Sequence, residues 1–205
     1  MAALAKAAPA TLAVEGPTIE SRTTRRKRAT EARLLDAGLR VFCERGYDAT
    51  TTGEIARIAD VAAGTFYLHF ADKRALYERL AGRAAHEMFE LAGDALRPDM
   101  ESLERIAVAL RIAADYWRSD LDRARLLLEG GPSLGSDGHV RFADEIAQAL
   151  ADAPDIERRP GASAHSLALL AAGMGIELGR LIVARPEARD EVDDLIRLVG
   201  GLYQS

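Results

Sequence analysis

Two apolar-periodic stretches, residues 52–59 and 62–69, are each about two turns long and lie about three residues apart. A helix of two turns does not stand alone in water, because nucleation costs more than so few hydrogen bonds return. The pair therefore needs a platform, and apolar stripes on both sides supply one. Leu34, Leu35, Gly38, Val41 and Phe42 recur at helical spacing before the pair, and Leu76, Leu80 and Met88 after it. Two short helices on such a platform have helix-turn-helix spacing.

Local signals bound these helices. A first helix is expected over residues 30–45, ended by Gly46, which adopts a left-handed conformation without steric cost. Thr51 and Glu54 have the spacing of a capping box at the start of the second helix. Asp60 marks the break before the third, and Asp72 caps a fourth.

Helical periodicity continues to the end of the chain. Leu103, Ile106, Ala107, Leu110, Ala114 and Trp117 form one stripe, and Val140, Ala143, Ile146, Ala147 and Leu150 another. A helix over 120–129 ends at Gly130-Gly131-Pro132, Pro154 and Pro160 bracket a loop, and further helices are expected over 162–184 and 189–203. No alternating strand pattern occurs, and aromatics are only 5%. The expected fold is all-α with about nine helices: a flexible basic arm at 1–28, a three-helix helix-turn-helix domain at 29–87, and a helical body at 88–205.

The apolar stretch 167–184 contains Glu177, Arg180 and three glycines, which suits a buried helix better than a membrane span. Lys6 and Pro9 interrupt the Ala-rich start, so no signal peptide is expected. The lone Cys43 excludes an internal disulfide and fits a reducing cytoplasm.

The net charge of −5 conceals an asymmetry. Residues 21–86 hold 13 Lys and Arg against 8 Asp and Glu, whereas residues 87–205 hold 13 against 22. A basic head on an acidic body suggests a polyanion partner at one end. The basic cluster Arg22, Arg25, Arg26, Lys27 and Arg28 precedes the first helix, with Arg26 and Arg28 as candidate backbone or minor-groove contacts.

The run Thr52-Gly53-Glu54-Ile55-Ala56, then Val61-Ala62-Ala63-Gly64-Thr65-Phe66-Tyr67-Leu68-His69-Phe70, then Asp72-Lys73 and Leu76 resembles the TetR family of bacterial regulators. Glu44-Arg45-Gly46-Tyr47 fits the same pattern, and the similarity covers roughly residues 30–85. The resemblance implies a homodimer on double-stranded operator DNA, with Thr65, Tyr67, His69 and Lys73 as contacts. Their hydroxyl, imidazole and ammonium groups can donate to phosphate oxygens, as can Thr51 and Thr52. The sequence departs from the family pattern at Asp60, where the turn often has Gly, and at Ala62-Ala63, where polar residues are usual. Alanine cannot hydrogen-bond a base edge and can only touch a thymine methyl. Gly64 is expected to let the third helix approach the second.

The resemblance further implies that the last two long helices pair with their copies. Ala168, Ala172, Gly175 and Gly179 form a stripe of small residues suited to close approach, with Val192, Leu195 and Val199 on the final helix. It also implies a pocket for a small, largely apolar ligand. Met88, Leu110, Tyr116, Trp117, Leu127, Phe142 and Met174 are candidate walls, and His139 or His165 candidate polar anchors. The expected activity is ligand-released repression of transcription.

An enzyme reading starts from Gly131-Pro132-Ser133-Leu134-Gly135, which matches G-x-S-x-G, with Asp144 and His165 following. That motif needs a preceding strand, and none is expected. No Walker loop, dinucleotide fingerprint or H-E-x-x-H occurs and the histidines are scattered, so no cofactor or metal site is expected. A DNA-binding architectural or cell-division protein is the remaining alternative.

Overall fold

A computed structural model describes residues 21–130, 135–158 and 163–201, with the side chains of α7 described from Ala143 onward. Nine α-helices and no strand occur among the described residues. They are α1 (Arg22–Arg45), α2 (Thr52–Ile58), α3 (Ala63–Tyr67), α4 (Lys73–Ala95), α5 (Ser102–Ser119), α6 (Leu121–Arg125), α7 (Gly135–Ala151), α8 (Ala164–Ala184) and α9 (Arg189–Gly201). A π-helical turn, Leu126–Gly130, follows α6, where the sequence predicts a plain helical end.

Helices α1–α4 enclose a small core of Leu34, Phe42, Ile55, Phe66, Phe70, Leu76, Tyr77 and Leu80. Gly38 sets the approach of α1 to α4, since a Cβ there would lie 2.5 Å from Leu76 Cδ2. The loop after α1 is fixed by Gly46 at φ +85° and by Thr50, whose hydroxyl donates to Gly46 O at 2.8 Å.

A second core joins α4, α5, α7, α8 and α9 around Ile106, Leu110, Trp117, Leu150, Ala168, Ile182 and Ile196. Its end remote from α3 is held by buried polar groups. Asp155 accepts from the backbone N and the hydroxyl of Ser102, both at 2.7 Å, and so caps α5 from a distance. Arg105 donates to the carbonyls of Met100, Pro98, Ala149 and Asp152.

Three sequence expectations change here. Residues 22–28 are helical, forming the first turns of α1 rather than a flexible arm, because Ser21 caps it by accepting from Thr24 N at 3.1 Å. Residues 1–20 lie outside the described residues. Gly64 opens on free space, with nothing within 4 Å of a Cβ built there, so it does not mediate α2–α3 packing.

The third change concerns the small-residue stripe of α8, which faces inward. Ala168 and Ala172 are buried, a Cβ on Gly175 would meet Leu110, and one on Gly179 would lie 2.6 Å from Leu128 Cδ1 and 3.1 Å from Trp117. Close helix approach therefore occurs inside the protomer. On α9, Val192 is buried and Val199 packs on the same core. Leu195 alone of the expected interface residues is exposed, and the other exposed leucines of α8 and α9 are Leu169, Leu170 and Leu198. Helix α8 is long and apolar enough to cross a membrane by length and composition. One face nevertheless packs within the protomer, and the Glu177–Arg180 ion pair at 2.6 Å occupies the outer one.

Replacing Gly179 with Leu forces the α5 contact apart. Chemical denaturation should show a loss of about 1–3 kcal/mol or more, as for other overpacked cores. Unchanged stability would return this stripe to the surface.

Candidate nucleic-acid interface

Helix α3 has five residues and owes its position to two aromatic anchors. Phe66 and Phe70 are buried, their ring centroids 5.7 Å apart. The reversal before it runs through Asp60, held at φ +53° despite its Cβ. Val61 N donates to Ala56 O at 3.0 Å and closes the turn. The strain at a non-glycine residue is modest because Asp tolerates the left-handed region better than most.

The cap of α2 is half of the expected box. Thr51 accepts from Glu54 N at 3.2 Å, but the Glu54 carboxylate pairs with Arg45 Nη1 at 2.6 Å. Glu54 therefore ties α2 to the end of α1. Ala62 starts α3 with no side-chain cap, which leaves the helix start smooth and small.

Burying Phe66 and Phe70 turns the opposite face of α3 outward. Ala62, Ala63 and Gly64 are exposed, Tyr67 is 58% exposed and Leu68 76%. Tyr67 OH lies 3.0 Å from Thr52 Oγ1, pairing two hydroxyls on the outer surface. Thr65 and His69 are half-buried, and His69 Nδ1 is enclosed without a hydrogen-bond partner. Leu68 is absent from the residues expected at this surface, although it stands out of phase with Phe66 and Phe70.

Lys73 is a correction. Its ammonium donates to the carbonyls of Tyr47, Thr50 and Asp48 at 2.6, 3.0 and 3.3 Å, and lies 4.3 Å from the Tyr47 ring centroid. All three N–H donors are thus directed at the loop that closes α1, not at a phosphate. These carbonyl dipoles offset the unfavourable placement of a cation at the helix start.

The head meets the body through α6 and its π turn. Leu126 packs into the head core, and Leu127 packs on both cores. Tyr77 OH donates to the carbonyls of Leu126 and Leu127 at 3.3 and 3.2 Å. Burial pushes the pKa of that phenol up to about 12, so it stays a donor. Beside it, Tyr116 OH donates to Glu87 Oε2 at 2.6 Å, and Arg123 Nη1 donates to Tyr116 OH at 2.9 Å. Arg83 joins Glu87 at 3.2 Å and Asp36 of α1 at 3.6 Å. Leu39, Leu80, Arg83, Ala84, Arg123 and Leu127 line a small cleft at this seam. Burial, reinforced by Asp120 and Asp122, raises the pKa of the Cys43 thiol to about 11, which keeps it protonated at neutral pH.

Met88, Leu110 and Trp117 lie in the body core, with Tyr116, Leu127 and Met174 packed against it. The side chains of Phe142, His139 and Ser133 lie outside the described residues. His165 is no interior anchor: it sits on the surface, Nδ1 3.5 Å from Asp144 Oδ1, both side chains more than half exposed.

Residues 34–80 match the family model for bacterial regulatory proteins of the tetR family. The chain is 30% identical over 146 residues to the transcriptional activator FasR of Mycolicibacterium smegmatis, covering 69% of this chain and 65% of that protein. It thus spans less than two thirds of that relative's length. The fold is similar to the fatty acid degradation regulator FadR of Bacillus halodurans, with TM-score 0.68 and 16% identity over 84% of this chain and 93% of the other. It is also similar to FadR of Bacillus subtilis in complex with stearoyl-CoA, with TM-score 0.61 and 16% identity over 80% and 96%.

Lys73→Met strands carbonyls in a part-buried loop, each costing about 1–3 kcal/mol when left unmet. Thermal denaturation should show Lys73→Met melting well below the parent and Tyr67→Ala, with its exposed ring, close to it. The reverse order would restore Lys73 as a surface contact.

Proposed function

The chain belongs to the TetR family of bacterial regulators, and from that premise we propose that it is a homodimeric, sequence-specific DNA-binding regulator of transcription whose DNA affinity a small, largely apolar ligand lowers. The observation that carries this reading is the outward face of α3, a short rod anchored on one side only. Its width suits a major groove, and its N-terminal residues are the ones such a helix brings to base edges.

In this reading the Thr52–Tyr67 hydroxyl pair donates to a phosphate at the groove edge, and Thr51, Thr65 and His69 are secondary contacts. Ala62 and Ala63 present no hydrogen-bonding group, so base discrimination rests on thymine methyls, Thr65 and DNA shape. Recognition uses two heads roughly 34–36 Å apart. The exposed leucines of α8 and α9 – Leu169, Leu170, Leu195 and Leu198 – form the proposed dimer surface, a four-helix contact in which the inward stripe takes no part.

The ligand enters the body among Met88, Leu110, Trp117 and Met174. The stearoyl-CoA complex of the Bacillus subtilis neighbour supports an acyl-chain class of ligand for a body of this fold. Such a ligand acts only through its preference for one head separation over another. The seam between Tyr77 and the π turn is where that preference reaches α4. Repression follows where the operator overlaps a promoter, and the protein works in the cytoplasm with the DNA it binds.

The test is selection from random duplex DNA, then gel-shift titration at stated salt with and without long-chain acyl-CoA. Retention of specific fragments and their release by the acyl compound support the proposal, and indifference to every duplex overturns it. Leu170→Glu combined with Leu198→Glu should give monomers in sedimentation and weaken operator binding by about 10²–10⁴, the loss of avidity between two heads. A variant that stays dimeric overturns the interface.

A further inference from the structure

The geometry points to a second DNA contact, outside the helix-turn-helix, on the overhanging first turns of α1. This inference rests on the DNA-binding reading and names a phosphate-binding surface of that site. Helix α1 begins at Arg22, whereas its first buried residue is Leu34. Thr30 and Glu31 are already half-buried, so at 1.5 Å per residue the overhang is about 12 Å. Residues 21–29 are all exposed, and the family model begins at residue 34, beyond this segment.

The overhang has a defined face. At 100° per residue, Arg22, Arg26 and Arg33 fall within about 40° of one another, with Arg25 about 60° to one side of Arg22. Arg33 Nη1 reaches Asp60 Oδ2 at 4.0 Å, in the turn that delivers α3. On the opposite side of α1, Glu31 pairs with Arg79 of α4 at 3.2 Å, and Gly38 faces Leu76. These contacts fix the rotation of the helix. The Arg22–Arg26–Arg33 row therefore lies on the flank towards Asp60 and the α2–α3 turn, from which α3 starts. Lys27 lies about 120° from Arg33 and points elsewhere.

Electrostatics supports the same assignment. The first turn of α1 contains no acidic residue, and cations there oppose the positive end of the helix dipole. An isolated helix gains nothing from that arrangement. A row of phosphates beside it reverses the sign, because the helix end and the guanidinium groups then attract the same polyanion. The surface fits the backbone flanking a half-site, read for charge and not for sequence.

The experiment compares the full chain with Arg22→Ala/Arg26→Ala and with Lys27→Ala, on duplexes selected from random DNA and on the same duplexes trimmed flush to the half-sites. Alanine favours the helix and no core residue is touched, so all three proteins fold. The parent should bind the long duplex with a steeper salt dependence than the double variant, the slope of log K against log salt falling by about 0.9 for each phosphate that the variant no longer neutralises. Trimming should weaken the parent and leave the double variant unchanged, and Lys27→Ala should behave as the parent. Equal slopes for parent and double variant, or weakened binding only with Lys27→Ala, overturn the flanking contact while leaving the helix-turn-helix reading intact. A parent that binds no duplex overturns both.

Discussion

The architecture of the head depends on one constraint: α3 has five residues and cannot hold its own shape. Everything around it compensates. Phe66 and Phe70 commit one side of the helix to the core, and Asp60 accepts a left-handed backbone to aim it there. The core is narrow because Gly38 lets α1 meet Leu76 of α4, and the two rings from the α3 segment pack there with Phe42, Tyr77 and the surrounding leucines. Lys73 and Thr50 hold the loop that spaces α1 from α2. Rigidity is borrowed from long helices, and that leaves the outer face of α3 free of structural duty.

The same logic governs how the body can influence the head. Between the two cores lies Leu126, a body residue buried among head residues, with Tyr77 holding the adjoining carbonyls. The phenol donates to two successive carbonyls of the π turn and so fixes it against α4. The Glu87–Tyr116–Arg123 cluster then links α4 to α5 and α6 through bonds of 2.6–3.3 Å. Apolar and polar ties thus join α6 to α4 at the same seam.

Legibility in the sequence follows how local each signal is. Helix periodicity, the Thr51 and Asp72 caps and the Phe66/Phe70 phase are set by neighbours in the chain, and each is readable there. Lys73 reads as a DNA contact because its true partners lie 23–26 residues away, and a lysine at a helix start has no local mark of three distant carbonyls. Asp155 capping α5 across 53 residues is invisible for the same reason. The π turn leaves no periodic signature over five residues.

The α8 stripe shows why pattern alone does not settle an interface. Small residues at helical spacing report that something approaches closely, but not what. In this protomer the approaching groups are Trp117, Leu128 and Leu110, bulky side chains that use the space small residues leave. A surface meant for a copy of the same helix needs the opposite property: side chains that project far enough to be buried by their own symmetry mates. Leu169, Leu170, Leu195 and Leu198 have that property, which is why the proposed dimer surface runs through them and not through the small-residue stripe. Close packing and the proposed self-association thus draw on different faces of α8: small residues where the protomer's own side chains press in, and projecting leucines where none do.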